Sequence, residues 1–570
     1  MRHGRREAFG ALAAAFWCLL VFRWFDAAAP LRPAWLASVH PGVLAAPCVV
    51  LASLWARGKW AEILGPPRQG PRGALWFLVA VTVLFRLPLL WQGAAGYVTP
   101  DGALSGIVGL HLRDGIDHLV FVPHVPYSGS LKSHLAAPLA AVIDPARAFA
   151  LVSVFFYALF VAAVYHLGLH IKSAPTWTAF AAGLYLAFAP AFVTRYSLSN
   201  DGNYVEVLAL GTWAVVLAAR WLESRHPPPP ASAAAAGVLL GLAFWCHILA
   251  VIHVATVGLA LVLAARRRAL RPALELATGL VLGYLPALLW NAGEGAWASF
   301  RYLIGAESVG AVDEGPGLIG RVLALISDQA PVLLGYDPGY PATIDILMRA
   351  AVGIAVALVV VSAALAIRAA FRDHDGALLT LLVLAAVNVT VAVMALPTIP
   401  GNPRYLLPLM AVIPVFLART LGRGWRRAVM ALLIAFGALG SLGQAPPTLR
   451  SDADWRRFVR DLQREEVRWC YTDFYIATKV NFLSEERVTC SSKLGPTTTE
   501  YFFEYRHRVE AAPEAALVAV NPTAAEKLER RLERLGVTYE RRDFMKPVLL
   551  RLSRKVDPSE LFPGREFPWR

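Results

Sequence analysis

Cysteine and charge are what this 570-residue sequence has little of. Five cysteines occur, and none forms a CxxC pair or any other metal-ligand or redox spacing. Cys18, Cys48 and Cys246 lie in apolar runs, and Cys470 and Cys490 lie in a polar tail. Charged residues make up only 16% of the chain against 57% hydrophobic, with a mean hydropathy of +0.51. That balance excludes an ordinary soluble enzyme and describes a polytopic membrane protein with a soluble appendage. Acidic residues are fewer than basic ones, leaving a net charge of +14. The Arg and Lys cluster beside apolar runs, the pattern of membrane orientation, so nucleic-acid binding is set aside. Gly102, Gly106 and Gly109 do not form a GxGxxG motif, the tail shows no phosphate loop, and there is no internal repeat of solenoid or inverted-repeat type. The N-terminus, MRHGRRE, has the basic start of a signal, but the apolar run continues to Phe25 without a small-residue cleavage site and reads as a retained anchor.

Apolar runs of membrane length are plentiful. A bilayer core needs about twenty apolar residues per helix. By that measure about thirteen spans are predicted, near 8–26, 40–57, 74–92, 147–166, 174–193, 204–222, 231–246, 248–264, 273–291, 346–368, 377–396, 404–419 and 427–444. The run from Ala231 to Ala265 is too long for one helix and is split near His247 into a tight helical hairpin. With the N-terminus cytoplasmic, the inner loops hold Arg2, Arg5 and Arg6, then Arg57, Lys59, Arg68 and Arg72, then Arg266 to Arg268 with Arg271, and finally Arg419, Arg423, Arg426 and Arg427. The short outer loops carry little beyond Arg32, Arg195 and Arg404. This asymmetry puts the loops 94–146 and 292–344, the turn from Arg195 to Asn203 and the whole tail on the extracytoplasmic side.

The expected fold class is a polytopic α-helical membrane module, 1–446, followed by a small α/β domain, 451–570. The tail reads as a helix (Trp455 to Arg464), a strand (VRWCYT), a helix (FYIATKVNFL), an extended RVTCSS and a buried strand ALVAV. A helix from Thr523 to Leu535 follows, opened by a Thr523-x-x-Glu526 capping box and stopped by Gly536, then two strands, VTYERRDF and PVLLRLS. Alternating strands and helices argue for an α/β layer domain. Cys470 and Cys490 fall at the ends of strand-like segments in an oxidising compartment and are expected to form a disulfide.

The stretch from Gly96 to Leu139 gathers carboxylates, histidines, a tyrosine and a lysine between membrane-length segments, and so marks a site. Pro100-Asp101 opens a short amphipathic helix, and on local sequence alone Asp101 reads as its N-cap. A partly desolvated carboxylate at a membrane interface also becomes a better base. Asp201 sits in an Asn-Asp-Gly turn. Glu206 lies a turn into a membrane helix, where an acid is costly and points to function. Lys132, Arg195, Arg301 and Arg404 stand at or beside outer span ends, where they either snorkel to headgroups or hold a phosphate. Arg404, between Pro403 and Tyr405, opposes the positive end of a helix dipole that a bound phosphate would relieve. His111, His118, His124 and His134 match no zinc spacing, and no metal site is expected. Tyr127 reads first as part of an aromatic belt and second as a grip for sugar. Gly102, Gly106 and Gly109 read as close-packing positions.

In order along the chain, PDGALSGIVGLHLRDG with PYSGSLKSHLAAPL, NDGNYVEVLALG, GLAFWCHILA, LGYLPALLWN, PRYLLPL and the tail WCYTDFYIATKVNFLSEERVTCSS resemble the GT-C glycosyltransferases. Among these the similarity is to bacterial members like protein O-mannosyltransferases and the lipid A aminoarabinose transferase. The resemblance covers most of the chain. It implies metal-independent, inverting transfer of a hexosyl or pentosyl unit from a polyprenyl-phosphate carrier to a lipid, glycan or protein acceptor. The place implied is the outer face of a bacterial inner membrane, with no cofactor beyond the donor. It also implies that Asp101 is the base or orienting acid for the acceptor. Such chemistry needs cations on the departing phosphate, for which Lys132, Arg195, Arg301 and Arg404 are expected. Glu206 is expected as a second candidate for the catalytic acid, and Tyr127, His124 and Asp201 are expected on sugar or acceptor. Relatives often carry Asp-Glu where this chain has Asp101-Gly102, and an acid where it has Lys132. These departures leave open an altered acceptor or a catalytically silent carrier binder. A polytopic transporter is the rival from another class, but it should show repeated halves with acids at mid-membrane.

Overall fold

Inside a bilayer no water satisfies the backbone N–H and C=O groups, so apolar runs of this length fold as helices that satisfy them internally. The computed structural model of the protein describes residues 2–562, apart from 26–27, 30–31, 40, 65–69, 72, 173, 176, 225–226, 266–267, 294, 304–316, 338–341, 395–401, 495–499 and 545–546. The predicted spans fall on the helices Arg2–Trp24, Pro41–Leu64, Ala74–Gly93, Pro145–His170, Trp177–Ala187, Tyr204–Glu223, Pro230–Cys246, Val251–Ala265, Leu270–Ala292, Ala342–Arg372 and Gly376–Met394, a pair (Arg404–Ala411 and Ile413–Leu421), and Arg426–Arg464. Among the described residues nine helices are long and apolar enough to cross a membrane, and the pair, bent by 41°, would make a tenth. Trp177–Ala187 and Pro230–Cys246 are apolar but shorter. Each of the thirteen predicted spans thus falls on a helix or helix pair, and nine or ten of these meet the length and hydropathy of a crossing among the described residues.

The long apolar run does break at His247, which is extended between Pro230–Cys246 and the 3-10 turn Ile248–Ala250. It does not form the expected tight hairpin. Pro230–Cys246 packs along Leu270–Ala292 instead, while Val251–Ala265 packs on Tyr204–Glu223. Glycine is the reason. A β-carbon on Gly241 would meet the backbone of Leu280 and Tyr284, and one on Gly283 would meet Val238 and Leu242. Facing Gly-x3-Gly stripes let two backbones touch, and close van der Waals packing drives helix association in lipid.

Arg86 is fully buried in Ala74–Gly93. Carbonyls and a hydroxyl solvate it: it donates to Ser197 Oγ at 2.6 Å, to Ala187 O at 2.8 Å and to Thr82 O at 3.1 Å. Its guanidinium also lies 4.2 Å from the Tyr157 ring centroid, a cation–π contact. The bond to Ser197 fixes the start of the turn that carries Asp201.

The loop after Ala74–Gly93 builds a small subdomain from the helix Pro100–Asp114, a hairpin of β1 (Phe121–Val122) and β2 (Val125–Gly129), and the helix Leu131–Ala140. The cap of Pro100–Asp114 is Thr99, whose hydroxyl accepts from Gly102 N–H at 3.0 Å. Asp101 is not the cap; it sits in the first turn. Proline at the first helical position puts the cap on the residue before it.

The predicted boundary at 446–451 falls within the single helix Arg426–Arg464, which runs unbroken into the tail. There β3 (Trp469–Tyr471), β4 (Thr489–Ser491), β5 (Ala516–Ala519), β6 (Tyr539–Asp543) and β7 (Val548–Leu552) form one sheet in the order β4-β3-β5-β7-β6. Side chains alternate along β5. Leu517 and Ala519 pack with Leu528 and Leu532 of the helix Pro522–Arg534, and Ala516 and Val518 pack with Phe458, Leu462, Ile476 and Val480 on the other face. Pro522–Arg534 is capped by Asn521, which accepts from Ala524 N–H, not by the predicted Thr523 box. Cys470 and Cys490 pair across β3 and β4 as a disulfide, with Cα atoms 4.5 Å apart.

The tail is docked on the loop by charge and shape. Arg456 binds Asp144 through both guanidinium nitrogens at 2.7 and 3.0 Å. Arg113 donates to Glu485 at 2.6 Å. Phe482 lies against Gly106, where a β-carbon would sit 2.5 Å from its ring. Fully buried His111 bridges Asp117 at 3.1 Å and Glu486 at 3.3 Å.

Candidate functional site

The structure gathers several of the predicted residues at the tail-bearing end of the helices. The Asp101 side chain is reachable by solvent, yet protein surrounds it on most sides. That desolvation, reinforced by the charge of Asp201, lifts its pKa to about 6, while Arg404 pulls it down. Asp201 is 6% exposed and lies 3.6 Å from Arg195. The turn that holds it is pinned from two sides. Asn200 Nδ2 donates to Gly102 O at 2.6 Å, tying it to the Asp101 helix. Asn203, in a left-handed conformation, donates through Nδ2 to Ser128 Oγ, Gly129 O and Cys246 O. One amide thus joins the hairpin, the end of Pro230–Cys246 and the start of Tyr204–Glu223.

Aromatic rings wall the cluster. Tyr127 stacks on Tyr302 with centroids 4.4 Å apart, and both Tyr127 and Tyr204 pack against His247, at 5.6 and 4.9 Å. Tyr204 also meets Tyr196 and Tyr405. Burial raises the pKa of Tyr127, and the charge of Asp101 adds to the shift, as it does at Tyr501. Arg404 donates to Tyr405 Oη at 3.2 Å, and its Nε is buried without a hydrogen-bond partner. Asp201 Oδ1 is orphaned in the same way. Unsatisfied buried polar atoms in a cluster of charge are what a bound polar ligand would complete.

Other expected members have partners of their own. Lys132 Nζ lies 3.1 Å from Glu206 Oε1, with side chains 1% and 0% exposed, and it also donates to Ser199 O at 3.4 Å. Both Glu206 carboxylate oxygens are buried without a hydrogen-bond partner among the described residues, so the ion pair is the polar contact they make. Lys132 is thus placed as the counter-charge of Glu206. Arg301 donates to Ala296 O of its own segment. His124 is exposed and rests on Phe503 of the tail at 4.7 Å. Among the described residues no group of three His, Cys, Asp or Glu is placed to hold a metal ion.

The sequence does not single out Tyr196, Tyr204, Tyr302, Tyr405 and Tyr501, or Lys479. That lysine comes from the tail helix Phe474–Leu483 and is 8% exposed. Burial, together with the charge of Arg195, lowers its pKa to about 7. Its ammonium lies 4.0 Å from the Trp455 ring centroid.

No protein-family model matches the chain, and no curated protein matches it in sequence. Solved structures do match in fold. ArnT from Cupriavidus metallidurans in the apo state superposes with a TM-score of 0.56 at 12% identity, over 84% of this chain and 98% of that one. The archaeal oligosaccharyltransferase AglB from Archaeoglobus fulgidus, in complex with an inhibitory peptide and a dolichol-phosphate, gives 0.44 at 12% identity over 80% and 70%. The arabinosyltransferase EmbB from Mycobacterium smegmatis gives 0.34 at 13% identity over 78% and 46%.

Proposed function

We propose, from the GT-C fold that this chain has in common with ArnT, that the protein is a membrane glycosyltransferase. It takes a hexosyl or pentosyl unit from a polyprenyl-phosphate carrier and passes it to a lipid, glycan or protein acceptor at the tail-bearing face. The observation that carries the reading is Asp101, a loop carboxylate with a pKa of about 6 beside Asp201 and within the field of Arg404. A base is most effective when its pKa lies near working pH, and this one is close. The acceptor oxygen attacks the anomeric carbon opposite the phosphate, and its proton passes to an Asp101 carboxylate oxygen. The bond from that carbon to the carrier oxygen breaks, its electron pair leaves on the phosphate, and the configuration inverts. Arg404, with its unpartnered Nε, and Arg195 take up the phosphate charge. The Tyr127–Tyr302 stack offers a flat face to a sugar ring. Lys132 and Glu206 are left out of the chemistry because they neutralise each other in the interior.

Asp101→Asn tests this. Thr99 makes the cap, so the substitution removes only charge and basicity. Transfer from polyprenyl-phosphate sugars should fall by about two to four orders of magnitude with thermal stability unchanged. Near-normal turnover would place the base elsewhere. A wild type that binds carriers and transfers nothing would make the protein a silent carrier binder.

A further inference from the structure

A cavity of about 1090 Å³ opens between the distal part of Arg426–Arg464 and the tail sheet, and the chemistry above does not use it. Its walls are aromatic: Trp455 and Phe458 from the long helix, Tyr475 from Phe474–Leu483, and Phe544 from the β6–β7 connection. Tyr475 is 63% exposed, so a large ring stands in the wall facing solvent. Four acids, Asp454, Asp461, Asp473 and Asp543, line the cavity against two cations, Arg450 and Arg457. Some of these are engaged: Arg457 lies 3.6 Å from Asp461, Arg541 binds Asp543 at 2.7 Å, and Asp473 caps its helix at Ile476 N–H. The side chains of Asp454 and Arg450 have no hydrogen-bond or ion-pair partner among the described residues.

Flat rings flanked by free carboxylate and guanidinium groups match one ligand chemistry well. The C–H face of a sugar ring covers an aromatic surface, and its edge hydroxyls bond to planar acids and to arginine. An excess of acids over cations argues against phosphate headgroups. The volume lies just above the range usual for ligand sites, ~300–1,000 Å³, which is room for more than one ring. Position adds to this. Trp455 lines the cavity and also carries Lys479 on its ring at 4.0 Å, and Lys479 stands in the field of Arg195. Trp455 and Lys479 thus connect the cavity lining to the part of the tail that feels the charge of Arg195, the partner of Asp201.

We propose that this cavity binds the glycan part of the acceptor, a neutral or amino-bearing oligosaccharide, and holds it beside the Asp101 cluster. The delivery step rests on the glycosyltransferase reading; the binding itself does not. The test uses the full-length protein in nanodiscs and an array of short oligosaccharides of glucose, mannose, galactose and glucosamine. Wild type should retain at least one of them. Tyr475→Ala, at an exposed ring, and Asp454→Asn should weaken that binding by about tenfold or more with thermal unfolding unchanged, and Asp101→Asn should bind like wild type. Retention of no saccharide overturns the proposal. So does equal binding by both cavity variants, or displacement of the saccharide by anionic phospholipid vesicles. If the cavity variants lose binding while Asp101→Asn keeps full transfer, the catalytic reading fails and the cavity stands. If Asp101→Asn loses transfer while the cavity variants bind normally, the reverse holds.

Discussion

Asp101 has two neighbours that pull its titration in opposite directions, and that makes its role readable from pH. Burial and the Asp201 carboxylate raise its pKa to about 6, and Arg404 lowers it. A raised carboxylate pKa favours the protonated acid, so below about pH 6 the base is blocked and transfer should fall about tenfold per pH unit. An ordinary aspartate, near 3.9, would keep its rate well below that point. In kcat/KM profiles of the full-length protein, Asp201→Asn removes a like charge and should move the acid limb to lower pH. Arg404→Gln removes a cation and should move it higher. A limb that stays put in both variants would mean that another group controls the rate. Arg404→Gln should also raise KM for the carrier if it holds the phosphate, a change that Asp201→Asn has no reason to share.

Between elements, His111 is the clamp that joins the loop to the tail. Its burial opposes protonation, but hydrogen bonds to Asp117 and Glu486 prevail, and its pKa is raised to about 9. With the folded value above the usual 6.5, the clamp contributes fully below about pH 6.5 and is lost as pH rises through about 9. The shift is worth on the order of 3 kcal/mol. Thermal unfolding of wild type should therefore fall toward His111→Gln between pH 7 and 10, and the gap between them should nearly close at the upper end. A constant gap would make the imidazole a packing residue only. The elements that meet at such contacts were legible in sequence to different degrees. The helices could be read from apolar runs and the sheet from alternation, because burial in lipid or in a two-faced sheet is written locally. The caps at Thr99 and Asn521 were misassigned in the same way: each precedes a proline at the first helical position, a signal that was present and outweighed by Asp101 and Thr523. The Gly237-x3-Gly241 and Gly279-x3-Gly283 stripes were likewise readable, and they decide which helices pair. The Lys132–Glu206 pair and the tyrosine wall were not. Their members come from segments far apart in the chain, and nothing in either segment names its partner.

At the scale of the whole molecule, one helix sets the geometry. Arg426–Arg464 has 39 residues and is about 58 Å long at ~1.5 Å per residue. That is nearly twice the ~30 Å of a bilayer core. Its first turns carry Arg426 and Arg427, and its last buries Phe458 and Leu462 in the tail sheet. The basic end and the tail therefore lie on opposite sides of whatever membrane the helix crosses. Arg and Lys near span ends favour the cytoplasm, so the tail, the Asp101 cluster and the aromatic cavity are expected on the outer side. A phosphatase fused to the C-terminus should be active in cells and a cytoplasmic reporter at the same point silent. The same pair of reporters placed after Arg268 should give the opposite result. An active cytoplasmic reporter at the C-terminus would put the site on the inner face, where the donor would have to be made available in the other leaflet. The assignment of an outer-face acceptor would then fall, while the geometry around Asp101 would remain to be explained from the inside.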